Sequence, residues 1–379
     1  MMIPKSVAVV TLLLAAPSAA FMPSSRPSHA AARKSSLNMS AALIVQNKGG
    51  GHGELGFQLA KTLQSNDKIT SITILQDEAC NDEKEPFKSY GTDIPDVKIV
   101  KANLADESMT AESLKEILGD ATFEYVWDNA SKKPEGAGKA VCDCAKSWNT
   151  KVFTYVSSAG MYQPTGEFPM PETTPVKESA GQNLFDNYAV EIGLPLVSFR
   201  PQYIYGPKSN KYDYIDWYFD RLCRGLPLPI PGDGTQKVSL TNSEDVASLL
   251  AAVLENEEAA IEQRFFNCGT DKLYSYDEYM YMFGKAKFPF RLTDFYVSPD
   301  TAKEKLGWTG PSHDLADDLK EYYEGFKARG MLEKDISIEK DYEIVFASKS
   351  NFEIGSVYDK YLGLNIDTSN VKPLDVNIN

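Results

Sequence analysis

The sequence has few of the residues on which metal and disulfide chemistry depend. Its three histidines, His29, His52 and His313, lie too far apart to indicate a local metal-ligand cluster. Its five cysteines are dispersed, and none form a Cys-x-x-Cys pair. An odd, dispersed set indicates buried thiols in a reducing compartment and excludes a disulfide framework. The sequence therefore assigns no metal ligands and predicts no disulfide-stapled scaffold.

Positive charge is also scarce. The 379 residues include 42% hydrophobic and 24% charged residues, which is ordinary for a soluble globular protein. The net charge is −14, and all four charged residues of 1–40 are basic, so 41–379 holds 35 basic against 53 acidic residues, or −18. Such a balance disfavours nonspecific binding to nucleic acid or to an anionic membrane.

The first 40 residues contain no acid and no run long enough to span a bilayer. An apolar run of ten residues, 7–16, precedes the small residues 17–20, as in a signal peptide covering 1–20. Residues 21–40 are rich in Ser, Ala and Pro and carry three basic residues, which is transit-peptide composition. The arrangement resembles the bipartite presequences of algae with complex plastids and implies the plastid stroma. Secretion is the alternative.

A glycine-rich stretch between an apolar run and an amphipathic segment is the most informative feature of the sequence. Gly50, Gly53 and Gly56 follow the predicted strand 41–45 at G-x-x-G-x-x-G spacing, and the predicted helix begins at Phe57. Such a turn lets a pyrophosphate approach the backbone at a helix N-terminus. The alternative is a plain strand-to-helix turn. His52, inside the turn, either contacts a phosphate or packs there.

Strands and helices alternate along the rest of the chain, with 79–96 predicted as a loop. The pattern predicts an α/β fold, with a Rossmann-type doubly wound parallel sheet over 41–200, a smaller C-terminal lobe over 201–330 and an extension over 331–379. The second predicted strand, 69–75, should end in an acid that binds a ribose, but Gln76 stands there and Asp77 follows. Asp77 and Asn103 complete the candidate NAD(P) site, and NAD against NADP stays undecided.

The order of these motifs resembles the extended short-chain dehydrogenase/reductase superfamily, which contains NAD-dependent epimerases and dehydratases. The resemblance covers about 41–330 and is carried by the glycine turn, 156–159, 193–195, 199–207, 230–234, 243–247, 266–269 and 305–308. It implies hydride transfer by a tyrosine, a lysine four residues later and a hydroxyl. Ser158 matches the hydroxyl, but Glu178 and Gln182 stand where the tyrosine and lysine belong. Standard redox chemistry is therefore not expected.

One branch of that superfamily shows this pattern, the chloroplast stem-loop-binding proteins, and the sequence is similar to them. The similarity is carried by 47–56, 156–162, 198–203, 210–211, 216–221, 227–232 and 266–268. It implies binding to structured plastid messenger or ribosomal RNA and association with the transcription or translation machinery. In some members it also implies an endoribonuclease that uses a divalent metal such as Mg²⁺. No membrane partner is expected, and homo- or hetero-oligomers stay open.

RNA is held by basic grooves and by aromatic rings that stack on bases. Candidate RNA contacts in this chain are Lys132, Lys133, Lys211, Trp217, Arg221 and Arg224. For the segment around Trp217 the alternative is the core face of a helix, and Lys132 and Lys133 could instead meet a nucleotide phosphate. Two other hypotheses remain beside the plastid RNA-binding protein: a nucleotide-sugar epimerase or dehydratase, and a non-catalytic dinucleotide sensor.

Overall fold

The computed structural model describes residues 40–49, 51–209, 214–224, 234–276, 278 and 293–335, without the side chains of 51–53 and Tyr214. The predicted signal peptide, nearly all of the transit segment and most of the C-terminal extension lie outside these ranges. Within them, no helix is long and apolar enough to cross a membrane.

The described residues contain a seven-stranded parallel sheet in the order β10-β6-β5-β4-β1-β2-β3. Its strands are β1 (Ala41–Gln46), β2 (Ser71–Asp77), β3 (Lys98–Ala102), β4 (Tyr125–Asp128), β5 (Val152–Val156), β6 (Leu196–Pro201) and β10 (Phe265–Cys268). Two short pairs accompany it, β7 (Ile204–Tyr205) with β9 (Thr241–Asn242), and β8 (Lys237–Val238) with β11 (Tyr274–Ser275). The strand order reverses between β1 and β4, and this confirms the doubly wound sheet.

Helices cover both faces of the sheet. The α-helices of the described residues are α1 (Gly51–Gln64), α2 (Tyr90–Asp93), α3 (Ala111–Leu118), α4 (Ala137–Trp148), α5 (Gly181–Glu191), α6 (Tyr214–Leu222), α7 (Ser243–Ala251), α8 (Glu257–Gln263), α9 (Asp300–Leu306) and α10 (Leu315–Ala328). Along β1, Ala42 and Ile44 face the layer of α1 and α7, whereas Leu43 and Val45 face that of α3, α4 and α5. Because successive side chains of a strand point to opposite faces, an entirely apolar strand supplies apolar residues to the cores on both sides of the sheet.

A third core lies in the C-terminal half of the described chain. It joins α6 and α10 through stacked rings, with Phe219 4.9 Å from Tyr323 and 5.6 Å from Phe326 between ring centroids. This cluster is consistent with a separate lobe, while the boundaries at about 200 and 330 stay predictions.

Three local predictions need correction. The glycine stretch is mostly helix, because α1 begins at Gly51 and not at Phe57. The strand β2 continues to Asp77, so it does end in an acid. Residues 79–96 contain a 3₁₀ turn (Phe87–Ser89) and α2, because Phe87 and Ile94 are buried in the core and hold this segment against it.

Candidate functional site

The carboxyl ends of β1 and β4 meet where the strand order reverses, and their loops are tied together. The side-chain amide of Asn47 donates to the carbonyl of Asn129 at 3.0 Å, and that of Asn129 donates to Gln46 Oε1 at 2.8 Å. The Gly49 N–H donates to Asn47 Oδ1 at 2.9 Å. In open α/β sheets, ligands bind in the crevice at such a reversal. This edge is therefore the candidate site.

The helix α1 points its N-terminus at this edge. A Cβ added to Gly56 would lie 1.9 Å from Gln46 Oε1, so this glycine is needed for the close packing of α1 on β1. Gly49, before the helix, has φ 138°, which favours glycine. Gly50 and the side chain of His52 lie outside the described residues. Their contact with a phosphate stays a prediction.

Asp77 and Asn103 stand at the ends of the next two strands. Asp77 is buried, and its Oδ1 accepts the Ala79 N–H at 3.0 Å. Among the described residues no donor reaches its Oδ2, which leaves an oxygen for a ribose hydroxyl. Asn103 is exposed, and its Oδ1 accepts the Ala105 N–H at 3.1 Å. The residues at this edge fit a dinucleotide, with phosphates on α1 and a ribose on Asp77.

The hydroxyl of Ser158 and the phenol of Tyr188, near the β5 end, have hydrogen-bond partners within the protein. Ser158 Oγ accepts the Gly160 N–H at 3.0 Å and so caps a 3₁₀ turn (Ala159–Met161). Glu178 is exposed and Gln182 is half-buried in the first turn of α5. Tyr188 turns to α4, where its hydroxyl donates to Asp143 Oδ1 at 2.5 Å. Burial raises the pKa of Tyr188, which opposes formation of a phenolate.

Tyr162 belongs to a buried polar network behind this turn. Its hydroxyl donates to Asn267 Oδ1 at 2.8 Å and accepts from Arg200 Nη1 at 3.0 Å. Burial raises the pKa of Tyr162 to about 12, although Arg200 opposes the shift. Asp186 lies 4.0 Å from Arg200 Nη2, and burial raises its pKa to about 7. The network therefore holds no phenol poised to lose a proton near neutral pH.

Glu54 is a site residue that sequence reasoning missed. It lies fully buried in the first turn of α1, where it accepts the Lys208 N–H at 3.1 Å and a Gln58 amide hydrogen at 2.9 Å. Burial raises its pKa to about 7. Gly206 is required beside it, because an added Cβ would lie 2.2 Å from Glu54 Oε2. The sequence feature that could have identified Glu54 is an acid between two glycines of the motif, in a helix turn that packs on the sheet.

The two adjacent lysines after β4 differ in their surroundings. Both are exposed, but Lys133 Nζ lies 3.1 Å from Glu107 Oε1 and 2.6 Å from Glu135 Oε2. The ammonium of Lys132 has no hydrogen bond or ion pair with another residue of the described chain. Lys132 is therefore the one of the two whose charge is available to a phosphate at this edge.

The candidates on α6 lie in the third core, which agrees with the core-face alternative and not with exposed RNA contacts. Trp217, Arg221 and Arg224 are 8%, 4% and 7% exposed. The Arg221 guanidinium lies 3.6 Å from the Trp217 ring centroid, and Arg224 Nη1 is 3.3 Å from Asp220 Oδ1. Because α6 packs into the aromatic core, these groups are used in packing and internal pairing. Lys211 lies outside the described residues.

Groups of acids, histidines and cysteines suited to a metal ion are absent from the described ranges. All five cysteines fall within these ranges and are free thiols, four of them buried and Cys80 partly exposed. The divalent metal that the resemblance implies is left without an assigned position.

Comparison with known proteins agrees with this geometry. The chain is 29% identical over 253 residues to a chloroplast stem-loop binding protein of 41 kDa from Arabidopsis thaliana. The aligned region covers 60% of this chain and 65% of that protein. The chain is 24% identical over 293 residues to a trifunctional UDP-glucose 4,6-dehydratase, epimerase and reductase from the same plant, covering 68% of this chain and 44% of that protein. The chain therefore spans less than two thirds of each relative. The predicted resemblance to stem-loop-binding proteins is confirmed as a similarity.

Solved structures share the fold. A dTDP-glucose 4,6-dehydratase from Bacillus anthracis, in complex with NAD, matches with TM-score 0.62 at 16% identity, over 76% of this chain and 97% of that one. A UDP-glucose 4-epimerase from Thermotoga maritima matches with TM-score 0.60 at 19% identity, over 76% and 99%. The model of the NAD dependent epimerase/dehydratase family matches residues 49–269. Because that match covers more than half of the chain, this protein belongs to the NAD-dependent epimerase/dehydratase family.

Proposed function

We propose that this protein binds structured RNA in a plastid, on an epimerase/dehydratase scaffold that does not carry out the redox reaction of its family. The observation that carries the proposal is the similarity over 253 residues to a chloroplast stem-loop binding protein. The composition of the first 40 residues supports the plastid location independently. Processing of messenger or ribosomal RNA, and its metal-dependent cleavage, stay predictions.

The arrangement around Ser158 supports the loss of redox chemistry. A phenol must ionise near neutral pH to act as the acid and base of hydride transfer. Tyr162 is held at a pKa of about 12, and Tyr188 faces α4 with its pKa raised. Lys139 Nζ lies 5.2 Å from the Tyr188 ring centroid and favours the phenolate, but burial outweighs it. The positions expected to hold the tyrosine and lysine are Glu178 and Gln182. The nucleotide-sugar enzyme is therefore the weaker alternative.

Dinucleotide binding is a second function that specific observations favour. The N-terminus of α1 offers backbone N–H groups to phosphates, and Asp77 Oδ2 offers an acceptor to a ribose. The carboxylate at Asp77 favours NAD, because it would repel the 2′-phosphate of NADP. Bound NAD would supply a hydride acceptor, and in this chain it would act as a ligand without turnover.

Two measurements test these functions separately. Filter binding of the protein to a plastid stem-loop RNA should show binding at about 50 mM salt that weakens as salt rises. Absence of binding at that salt would remove the RNA function. Saturating NAD should raise the unfolding temperature more than NADP does, with no reduction of NAD in the presence of UDP-glucose. Turnover of a nucleotide sugar would instead restore the enzyme alternative.

A further inference from the structure

Three exposed lysines follow the carboxyl ends of three neighbouring strands. Lys48 follows β1, Lys132 follows β4, and Lys177 lies between β5 and α5. None of the three ammonium groups has a hydrogen bond or an ion pair with any residue of the described chain. By contrast Lys133 pairs with two acids and Lys139 lies 2.5 Å from Asp143. The unpaired positive charge of this edge is thus concentrated at three positions.

The loops that carry these lysines form one continuous rim. The loop of Lys48 is bonded to the loop after β4 through Asn47 and the carbonyl of Asn129. Tyr155, on β5, donates to the carbonyl of Ser131 at 2.9 Å and holds that loop against the sheet. A Cβ added to Gly181 would lie 2.3 Å from the carbonyl oxygen of Lys132, so the start of α5 packs directly on it.

The position of Lys177 is set by the same packing. Its N–H donates to the carbonyl of Met161 at 2.9 Å, and its carbonyl accepts the Ala180 N–H at 3.0 Å, one residue before α5. The three loops therefore touch in the order Lys48, Lys132, Lys177 along the sheet edge. Glu178, exposed beside Lys177, is an acid on this rim, and Glu135 is paired with Lys133.

The chemistry of this rim fits a chain of phosphates. Three flexible ammonium groups without carboxylate partners attract a polyanion, while the net charge of −14 repels it from the rest of the protein. The rim also borders the N-terminus of α1, since Lys48 lies three residues before Gly51 in the loop that enters that helix. An RNA backbone on the three lysines would pass over the place of the dinucleotide pyrophosphate.

We propose that Lys48, Lys132 and Lys177 hold RNA phosphates at the mouth of the cleft, so that RNA and NAD exclude each other. The proposal rests on the proposed RNA and dinucleotide functions, and it adds where RNA binds and how a nucleotide regulates it. Through linkage, NAD weakens RNA binding by the same factor by which RNA weakens NAD binding.

The decisive variant replaces the three lysines by glutamine (K48Q/K132Q/K177Q). The matched control, K98Q/K151Q/K320Q, removes the same charge from exposed lysines: Lys98 and Lys151 at the amino ends of β3 and β5, and Lys320 on α10. Affinity for a labelled stem-loop RNA is measured across a salt series for both variants. Each lost phosphate contact lowers the slope of log Kd against log salt by about 0.7–0.9, so the rim variant, which loses three contacts, should lower it by about 2.1–2.7. The control should keep the slope of the unaltered protein.

Competition is measured on the unaltered protein by adding saturating NAD at constant ionic strength, with sodium chloride replacing NAD in the control. The apparent Kd for RNA should rise at least several-fold in the presence of NAD and should not change in the sodium chloride control. A thermal shift confirms that NAD is bound.

The outcomes separate the two proposals. No RNA binding by the unaltered protein overturns the RNA function itself. If the rim and control variants weaken RNA binding equally, the three lysines are not the RNA site, although the RNA-binding function still holds. Unchanged RNA affinity at saturating NAD, or no thermal shift with NAD, overturns the exclusion. If the triple variant unfolds, K132Q alone decides the question, with an expected slope loss of about 0.7–0.9.

Discussion

The helix α6 and the carboxyl edge of the sheet carry the same kinds of residue and use them in opposite ways. On α6, Arg221 and Arg224 are buried against Trp217 and Asp220. At the sheet edge, Lys48 and Lys132 are exposed and unpaired within the described chain. The comparison teaches that a basic and aromatic composition does not identify an RNA surface. What matters is whether each charge has already found a partner inside the protein.

The largest effect is expected from Arg224→Gln. Its guanidinium pairs with the fully buried Asp220 and donates to the carbonyls of Met331 and Leu332, each at 3.3 Å. Removing it takes a cationic partner from a buried carboxylate and leaves the two carbonyls without that donor, so the free energy of unfolding should fall by about 3–5 kcal/mol in urea unfolding. Lys132→Gln, at the edge, should change it by less than about 0.5 kcal/mol.

The same pair of variants should behave oppositely in RNA binding. Once corrected for the folded fraction, the affinity of Arg224→Gln should equal that of the unaltered protein, whereas Lys132→Gln should bind more weakly. A stable Arg224→Gln protein with weak RNA binding would contradict the contrast and return α6 to the RNA surface.

The second effect is the pH dependence of stability that comes from Glu54, the buried acid in the first turn of α1 at the carboxyl edge of the sheet. The pKa of Glu54 is about 7 when folded and near its ordinary 4.5 when unfolded, so the folded state binds more protons between these values. The free energy of unfolding should therefore fall as pH rises from about 4.5 to 7. Glu54→Gln removes this contribution and should be on the order of 3 kcal/mol more stable than the unaltered protein at pH 8, with little difference at pH 4.

Urea unfolding at several pH values measures this effect, with the exposed Glu112→Gln as the control. Asp186, also with a pKa of about 7, keeps its own contribution in both proteins, so the difference isolates Glu54. Parallel pH profiles for Glu54→Gln and the unaltered protein would show that folding does not shift the pKa of Glu54.

The smallest effect distinguishes two neighbours at the edge itself. Lys132→Gln should lower the salt slope of RNA binding by about 0.7–0.9, and Lys133→Gln should lower it less. The reason is that Glu107 and Glu135 already hold the Lys133 ammonium, which leaves less charge for a phosphate. Filter binding in a salt series measures both. A larger loss for Lys133 would mean that RNA displaces those acids, and the rim would then include it.

Periodicity and turn chemistry were enough to predict the parallel sheet. The apolar runs of β1, β5 and β6 are buried on both faces, and such strands are recognisable without tertiary information. The length of the glycine turn was not predictable in the same way. Glycines disfavour helix in isolation, yet α1 includes three of them. One of these, Gly56, is needed because the helix approaches Gln46 closely there. The prediction of a loop over 79–96 was wrong for a similar reason, since burial of Phe87 and Ile94 overrides the polar composition of this segment.

The sequence by itself determined the fold class and the place of the glycine motif, because both depend on patterns of residues close together in the chain. Only the tertiary structure decided which charges remain available. Glu54 meets Lys208 across 154 positions, and Arg224 meets Met331 across 107. Pairing and desolvation over such separations leave no local pattern. They alone separate the buried arginines of α6 from the lysines at the sheet edge, which have no partner within the described chain.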